Sequence, residues 1–178
     1  MFTKKDIEDY FVAEKKGGKL FIIMGFMAII AGLILFVAGK TTFYKGASLP
    51  PTVIGAILFI AGYTVFKRSD EDRKRNVYNY DMNPAELRNK ELPRMQKVMK
   101  RFASYKWAEI FLAIFGMALF FRFYIVCEGD TCRFSFFRKG MGLTLTIMSL
   151  MALAADYIAE KRARVYLKGL ESFAKMTS

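Results

Sequence analysis

LFIIMGFMAIIAGLILFVA, residues Leu20 to Ala38, contains no charged side chain. At 1.5 Å per residue its roughly 19 residues match a hydrocarbon core of about 30 Å. A water-facing helix of that length would keep a polar face at 3.6-residue period, and this stretch has none. It therefore reads as a membrane span. Its apolar run exceeds the ~7–15 residues of a signal-peptide core, and Phe36-Val37-Ala38-Gly39-Lys40 is a poor small-x-small cleavage site, so the segment is expected to remain in the mature chain.

Three more apolar blocks follow, separated by charged segments. The second, 49–66, opens with Pro50-Pro51, tolerated where a helix start needs no N–H donors. The third, 107–126, is rich in aromatics and holds Glu109 and Arg122 near its ends, within reach of the interface. The fourth, 140–159, is interrupted by Thr144, Thr146, Ser149 and Asp156. It still reads as a helix, because unpaired backbone groups are not tolerated in lipid. The expected fold is all-α and polytopic, a single membrane domain over 1–178. Its four transmembrane helices form two antiparallel hairpins, with spans 3 and 4 extended into the cytoplasm.

The formal net charge is +12. About 22 Lys and Arg fall in the N-tail, the 67–106 loop and the C-tail, against about five in the two short loops. That asymmetry places both termini and the long loop in the cytoplasm, as in a bacterial inner membrane. It also accounts for the charge without nucleic acid, since the basic residues flank span ends instead of interleaving with aromatics on one face. Anionic head groups at the cytoplasmic face are the expected lipid partners.

The flanking segments are expected to be helical. Thr3 precedes Lys4-Lys5-Asp6 as an N-cap, and Ile7, Tyr10 and Phe11 share one face of an amphipathic helix over 1–18. That helix lies on the inner membrane surface until Gly17-Gly18 releases the chain, or packs on the protein's own loop. Lys67 to Arg75, of mixed charge and no apolar period, reads as a solvated connector. Asn83-Pro84-Ala85-Glu86 starts a short helix that Pro93 ends or kinks. From Met95 helical period runs on into the third span, and the C-terminal helix 160–178 mirrors it, so that the two stripes could pack as a stalk.

Gly25 and Gly32 in the first span, and Gly55 and Gly62 in the second, recur every seven residues, a stripe that lets two helices approach closely. Cys127 and Cys132, on the external side, are a disulfide candidate around Gly129. Glu109 and Asp156 lie at similar depth, and Thr146 and Ser149 continue a polar stripe with Gly142 and Asp156. These could line a proton or ion path, or sit at the interface paired with Lys106 and Lys161.

The chain has no histidine and no Walker loop, HExxH or GxSxG elbow, so no catalytic residue, metal site or cofactor is expected. The sequence points to a non-enzymatic protein that binds another protein, or a second copy of itself, in or at the membrane. An accessory subunit or an immunity protein against a membrane-targeting toxin would fit. The alternative is a small ion or proton pathway using Glu109 and Asp156. Reporter fusions after Ser178 or within 76–82 should read cytoplasmic and fusions at Gly46 or Gly129 external; an external C-terminus would overturn the topology.

Overall fold

A computed structural model describes the backbone of residues 2–121 and 131–176, with the side chains of all of these except 131–133 and 176. The first helix, α1 (Lys4–Ala38), starts at a reciprocal cap. The backbone N–H and hydroxyl of Thr3 both donate to Asp6 Oδ2 at 2.7 Å. The helix runs unbroken through Gly17 and Gly18, so these residues do not release the chain as the sequence suggests. They permit close approach instead. A Cβ on Gly18 would lie 2.9 Å from the Phe66 backbone N, and one on Gly17 would meet Arg162, whose guanidinium donates to the Ala13 carbonyl at 2.7 Å.

The second helix, α2 (Thr42–Met82), absorbs three segments that the sequence separates: most of the short loop after the first span, the second span and the charged connector. Pro50 and Pro51 lie inside it, about two turns from its start, where they leave two carbonyls without helical donors. Nearby hydroxyls bond the backbone: Ser48 Oγ donates to the Lys45 carbonyl and Thr52 Oγ1 to that of Ser48, both at 2.8 Å. The connector is helical because its charges are paired, as described below. Asn83 then caps α3 (Pro84–Glu86) with no side-chain bond, and one π-helical turn, Leu87–Glu91, leads into α4 (Leu92–Phe121). The turn sits two residues before Pro93, whose missing N–H a wider turn accommodates without a break. Last, α5 (Thr131–Met176) begins nine residues before the expected fourth span and continues through the expected C-terminal helix.

Among the described residues four helical stretches are long and apolar enough to cross a membrane: Lys4–Ala38, Thr42–Met82, Pro84–Phe121 and Phe134–Lys175. The chain divides into two compact units. The span unit comprises Phe21–Ala61 and Lys106–Ala154; the terminal unit comprises residues 1–20, 62–105 and 155–178. In the span unit small residues are buried, among them Gly25, Gly32, Gly55, Ala113, Gly116 and Gly142. Large apolar ones such as Ile23, Phe26, Leu33, Ile57, Phe111 and Ile114 face outward. That inversion suits a solvent as apolar as the side chains, where contact between helices comes from close backbone approach.

Along α1 and α2, Gly25 meets Gly55 and Phe59, and Gly32 meets Ser48 and Thr52; along α4 and α5, Gly116 meets Gly142 and Thr146. Gly46 and Gly140 bring α2 and α5 together at the Phe137 and Phe43 carbonyls.

The terminal unit is built the opposite way. Phe2, Ile7, Phe11, Leu87, Met95, Tyr166 and Leu170 form a buried core. Phe2 packs its ring against Tyr80, Tyr166 and Phe173 at centroid distances of 5.9–6.2 Å. The first amphipathic helix thus buries its apolar face within the protein and does not offer Ile7 and Phe11 to lipid.

Gly25→Leu and Gly55→Leu should each destabilise the protein in detergent by about 1–3 kcal/mol, since backbone atoms that cannot rotate away lie 2.5–2.8 Å from the added Cβ. Gly17→Ala meets only the tip of a flexible arginine and should change stability by less than about 0.5 kcal/mol. Equal thermal shifts for the three variants would refute close backbone approach as the source of packing.

Candidate functional site: a buried charge network

Ser69, Asp72 and Asn76 recur at helical spacing on α2 and are all buried. Three charged partners meet this face from three other elements. From α1, Glu14 accepts from Arg68 Nη2 at 3.3 Å and from Ser69 Oγ at 3.4 Å. From the π turn and α4, Glu91 and Arg94 form a bidentate pair, with Nε to Oε2 at 2.8 Å and Nη2 to Oε1 at 2.6 Å. Asp72 links the two halves, 3.9 Å from both Arg68 Nε and Arg94 Nη1, and it also accepts from Arg75. Three carboxylates thus face three guanidinium groups, so this interior is close to neutral in a strongly basic chain. The outer pairs Lys4–Asp81 and Lys15–Asp70 tie α1 to α2 on the same side of the core.

Two tyrosines wall the network. The rings of Tyr10 and Tyr166 stack with centroids 4.1 Å apart and planes 3° from parallel, and Tyr10 Oη donates to Met95 Sδ at 3.8 Å. Burial pushes both phenols well above their ordinary range, helped by Glu14 beside Tyr10 and Glu91 beside Tyr166. Burial also raises the Glu14 carboxyl, against the opposing pull of Arg68 and Arg94. For Arg94, burial favours the neutral form but is outweighed by its bonds to Glu91 and the field of Asp72, so its pKa rises. Every guanidinium here has a carboxylate partner. The arrangement holds helices together and defines a polar cavity of about 250 Å³ at its edge.

The residues singled out from the sequence lie elsewhere. Gly25, Gly32 and Gly55 form the close approaches of the span unit, whereas Gly62 meets Gly18 in the terminal unit. Thr146 Oγ1 donates to its own helix at Gly142, 2.9 Å, and across to the Ala113 carbonyl, 3.4 Å. Ser149 is 2% exposed, and its hydroxyl has no hydrogen-bond partner among the described residues. Glu109 is half-buried in the span unit and Asp156 half-buried in the terminal unit, each close to the boundary between the two in sequence. Cys127 and Arg122 lie outside the described residues. Cys132 is described only as backbone of α5. Among the described residues no His, Cys, Asp or Glu group is arranged to hold a metal ion.

The network escaped sequence reading because its members lie far apart in the chain and each looks like a surface charge. One local signal was present: Ser69, Asp72 and Asn76 keep helical period with Val65 and Val77, which marks a face and not a connector.

Glu91→Ala should destabilise the protein by about 3 kcal/mol, the low end for breaking a buried pair, because Arg94 keeps Asp72. Glu14 behaves differently. Its folded pKa is raised, so its contribution to stability is full below the unfolded value near 4.5 and is lost as pH rises through the folded pKa. Glu14→Gln should therefore match or exceed the wild-type Tm at pH 7, with the gap closing below about pH 4.5. A Glu14→Gln variant less stable than wild type at neutral pH and equal to it in acid would reverse this sign. No protein-family model, curated protein or solved structure matches this chain.

Proposed function

We propose that this is a non-enzymatic integral membrane protein that works by binding another protein in or at the membrane, as an accessory subunit or an immunity protein against a membrane-targeting toxin. The observation that carries this reading is the outer face of α5 in the terminal unit. Ala163, Tyr166 and Leu170 are buried on one side of the helix, yet Tyr157, Ile158 and Val165 are 57–68% exposed on another, among Lys161 and Lys168. A helix already packed through one apolar face has no intramolecular need of a second. The rigid core behind it, cross-linked by paired charges, is suited to presenting such a face.

In this reading the spans form two antiparallel hairpins in a bacterial inner membrane, with the terminal unit and both chain ends in the cytoplasm. The exposed aromatics Tyr63 and Trp107, each within four residues of a lysine, support that orientation as interfacial anchors. A disulfide between Cys127 and Cys132 would staple the external side. One observation favours the alternative of an ion or proton path. The unpartnered Ser149 hydroxyl is buried among apolar helices, where a polar group needs a reason.

A photo-crosslinking residue at Val165 or Ile158 should capture one defined protein in cells, while the same residue at exposed Lys74 on α2 should not, and purified protein in liposomes should pass no ions. Equal crosslinking at all three positions would sink the binding reading. Wild-type proton or cation flux that disappears in Glu109→Gln/Asp156→Asn would put the pathway in its place.

A further inference from the structure

The polar cavity of about 250 Å³ in the terminal unit is lined by side chains from α2, α3, the π turn and α4. Arg75 and Asn79 come from α2, Lys90 from the π turn and Arg94 from α4; Glu86 and Glu91 stand between the cations. We propose that this cavity binds a small molecule bearing a phosphate group.

The cations are held in two ways. Arg94 is fixed: it is 25% exposed and forked onto Glu91, so it contributes a permanent field and no reach. Arg75 and Lys90 are 56% and 75% exposed, and their partners, Asp72 and Glu86, lie three and four residues away on the same stretch of helix. The Lys90–Glu86 pair is of the surface kind worth about 0–1 kcal/mol, so Lys90 can turn to a ligand at little cost, whereas Arg75 stays on buried Asp72 and offers a ligand its remaining N–H donors. Arg75 on α2 and Lys90 on the π turn bring donors to the cavity from two elements, beside the fixed charge of Arg94 four residues on from Lys90. A phosphate, with three terminal oxygens and up to two negative charges, makes fuller use of both donors and of that field than a singly charged carboxylate does.

The remaining lining narrows the ligand. Glu86 and Glu91 repel a bare anion unless it also brings donors, and the Asn79 carboxamide can both donate and accept. These groups favour a phosphomonoester with hydroxyl or amino substituents. The volume lies below the roughly 300–1,000 Å³ of drug-sized ligand sites, so the substituent is short. The π turn buries Leu87 fully in the core while its last two residues, Lys90 and Glu91, line the cavity, and such turns recur at functional sites. The same phosphate chemistry is offered by free metabolites and by the head group of phosphatidic acid.

Full-length protein in phosphate-free detergent should be titrated with inorganic phosphate, glycerol 3-phosphate and sulfate at constant ionic strength, with Tm and heat of binding as readouts. A parallel arm uses nanodiscs with and without phosphatidic acid. Saturable binding of glycerol 3-phosphate, tighter than inorganic phosphate and far tighter than sulfate, is expected. Arg75→Gln/Lys90→Gln should bind at least tenfold more weakly, and Lys90→Gln alone, at an exposed side chain outside the buried network, should keep the ligand-free Tm and bind severalfold more weakly. Glu86→Gln should bind severalfold more tightly, a gain that misfolding cannot produce. Response only to phosphatidic acid, lost in the same double variant, assigns the site to a lipid head group and supports the same chemistry. Failure of every phosphate probe to saturate, or equal affinity of wild type and the double variant, would overturn the proposal.

Discussion

Helix length is the constraint from which the rest of the structure follows. A hydrocarbon core is filled by about 20 residues, and α2 and α5 contain 41 and 46. Half of each helix is therefore left to bury its own apolar stripe by other means, with α1 and α4 in the same position over shorter lengths. The two compact units are the two solutions. One is assembled where hydrocarbon gives no advantage to hiding a leucine, so small residues are inside and large ones outside. The other is assembled where water drives burial, so aromatic and aliphatic side chains are inside.

The two solutions place different demands on single residues. Within the span unit contact depends on what is missing, since one methyl group at Gly25 would meet two backbone atoms. Within the terminal unit it depends on what is present, and the main risk is the charge of the chain itself. A protein of net charge +12 that folded its basic segments together without acids would repel itself. Interleaving Glu14, Asp72 and Glu91 with Arg68, Arg75 and Arg94 lets the charged half of α2 approach three other segments, which is why it remains helical past the end of its apolar run.

Much of this was readable in the sequence, for identifiable reasons. Span positions follow from apolar runs, which are a local property, and the glycine repeat follows from spacing within one helix. Residues 67–75 were misread because a list of charges does not show pairing, and the partners of Arg68 and Asp72 lie at Glu14 and Arg94, far away in the chain. Pro50 and Pro51 suggest a helix start because interior proline is unfavourable, yet α2 begins two turns before them, although their missing N–H groups leave the Gly46 and Ala47 carbonyls without helical donors. The apolar face of residues 7–11 suited lipid and protein equally well from the sequence, and only the position of Leu87 and Met95 decides between them.

The seven-residue glycine spacing has a further consequence for α1 and α2. A periodic groove is degenerate: shifting one helix along the other by a full period again sets small residues against small ones, with Gly25 facing Ser48 and Gly18 facing Gly55. Packing alone cannot tell these alignments apart. The ion pairs can, because the same shift would set Lys4 against Lys74 and Lys15 against Tyr63 in place of Asp81 and Asp70. The charged end of the helix pair thus works as the key of a ratchet whose teeth are all alike, and it admits one notch.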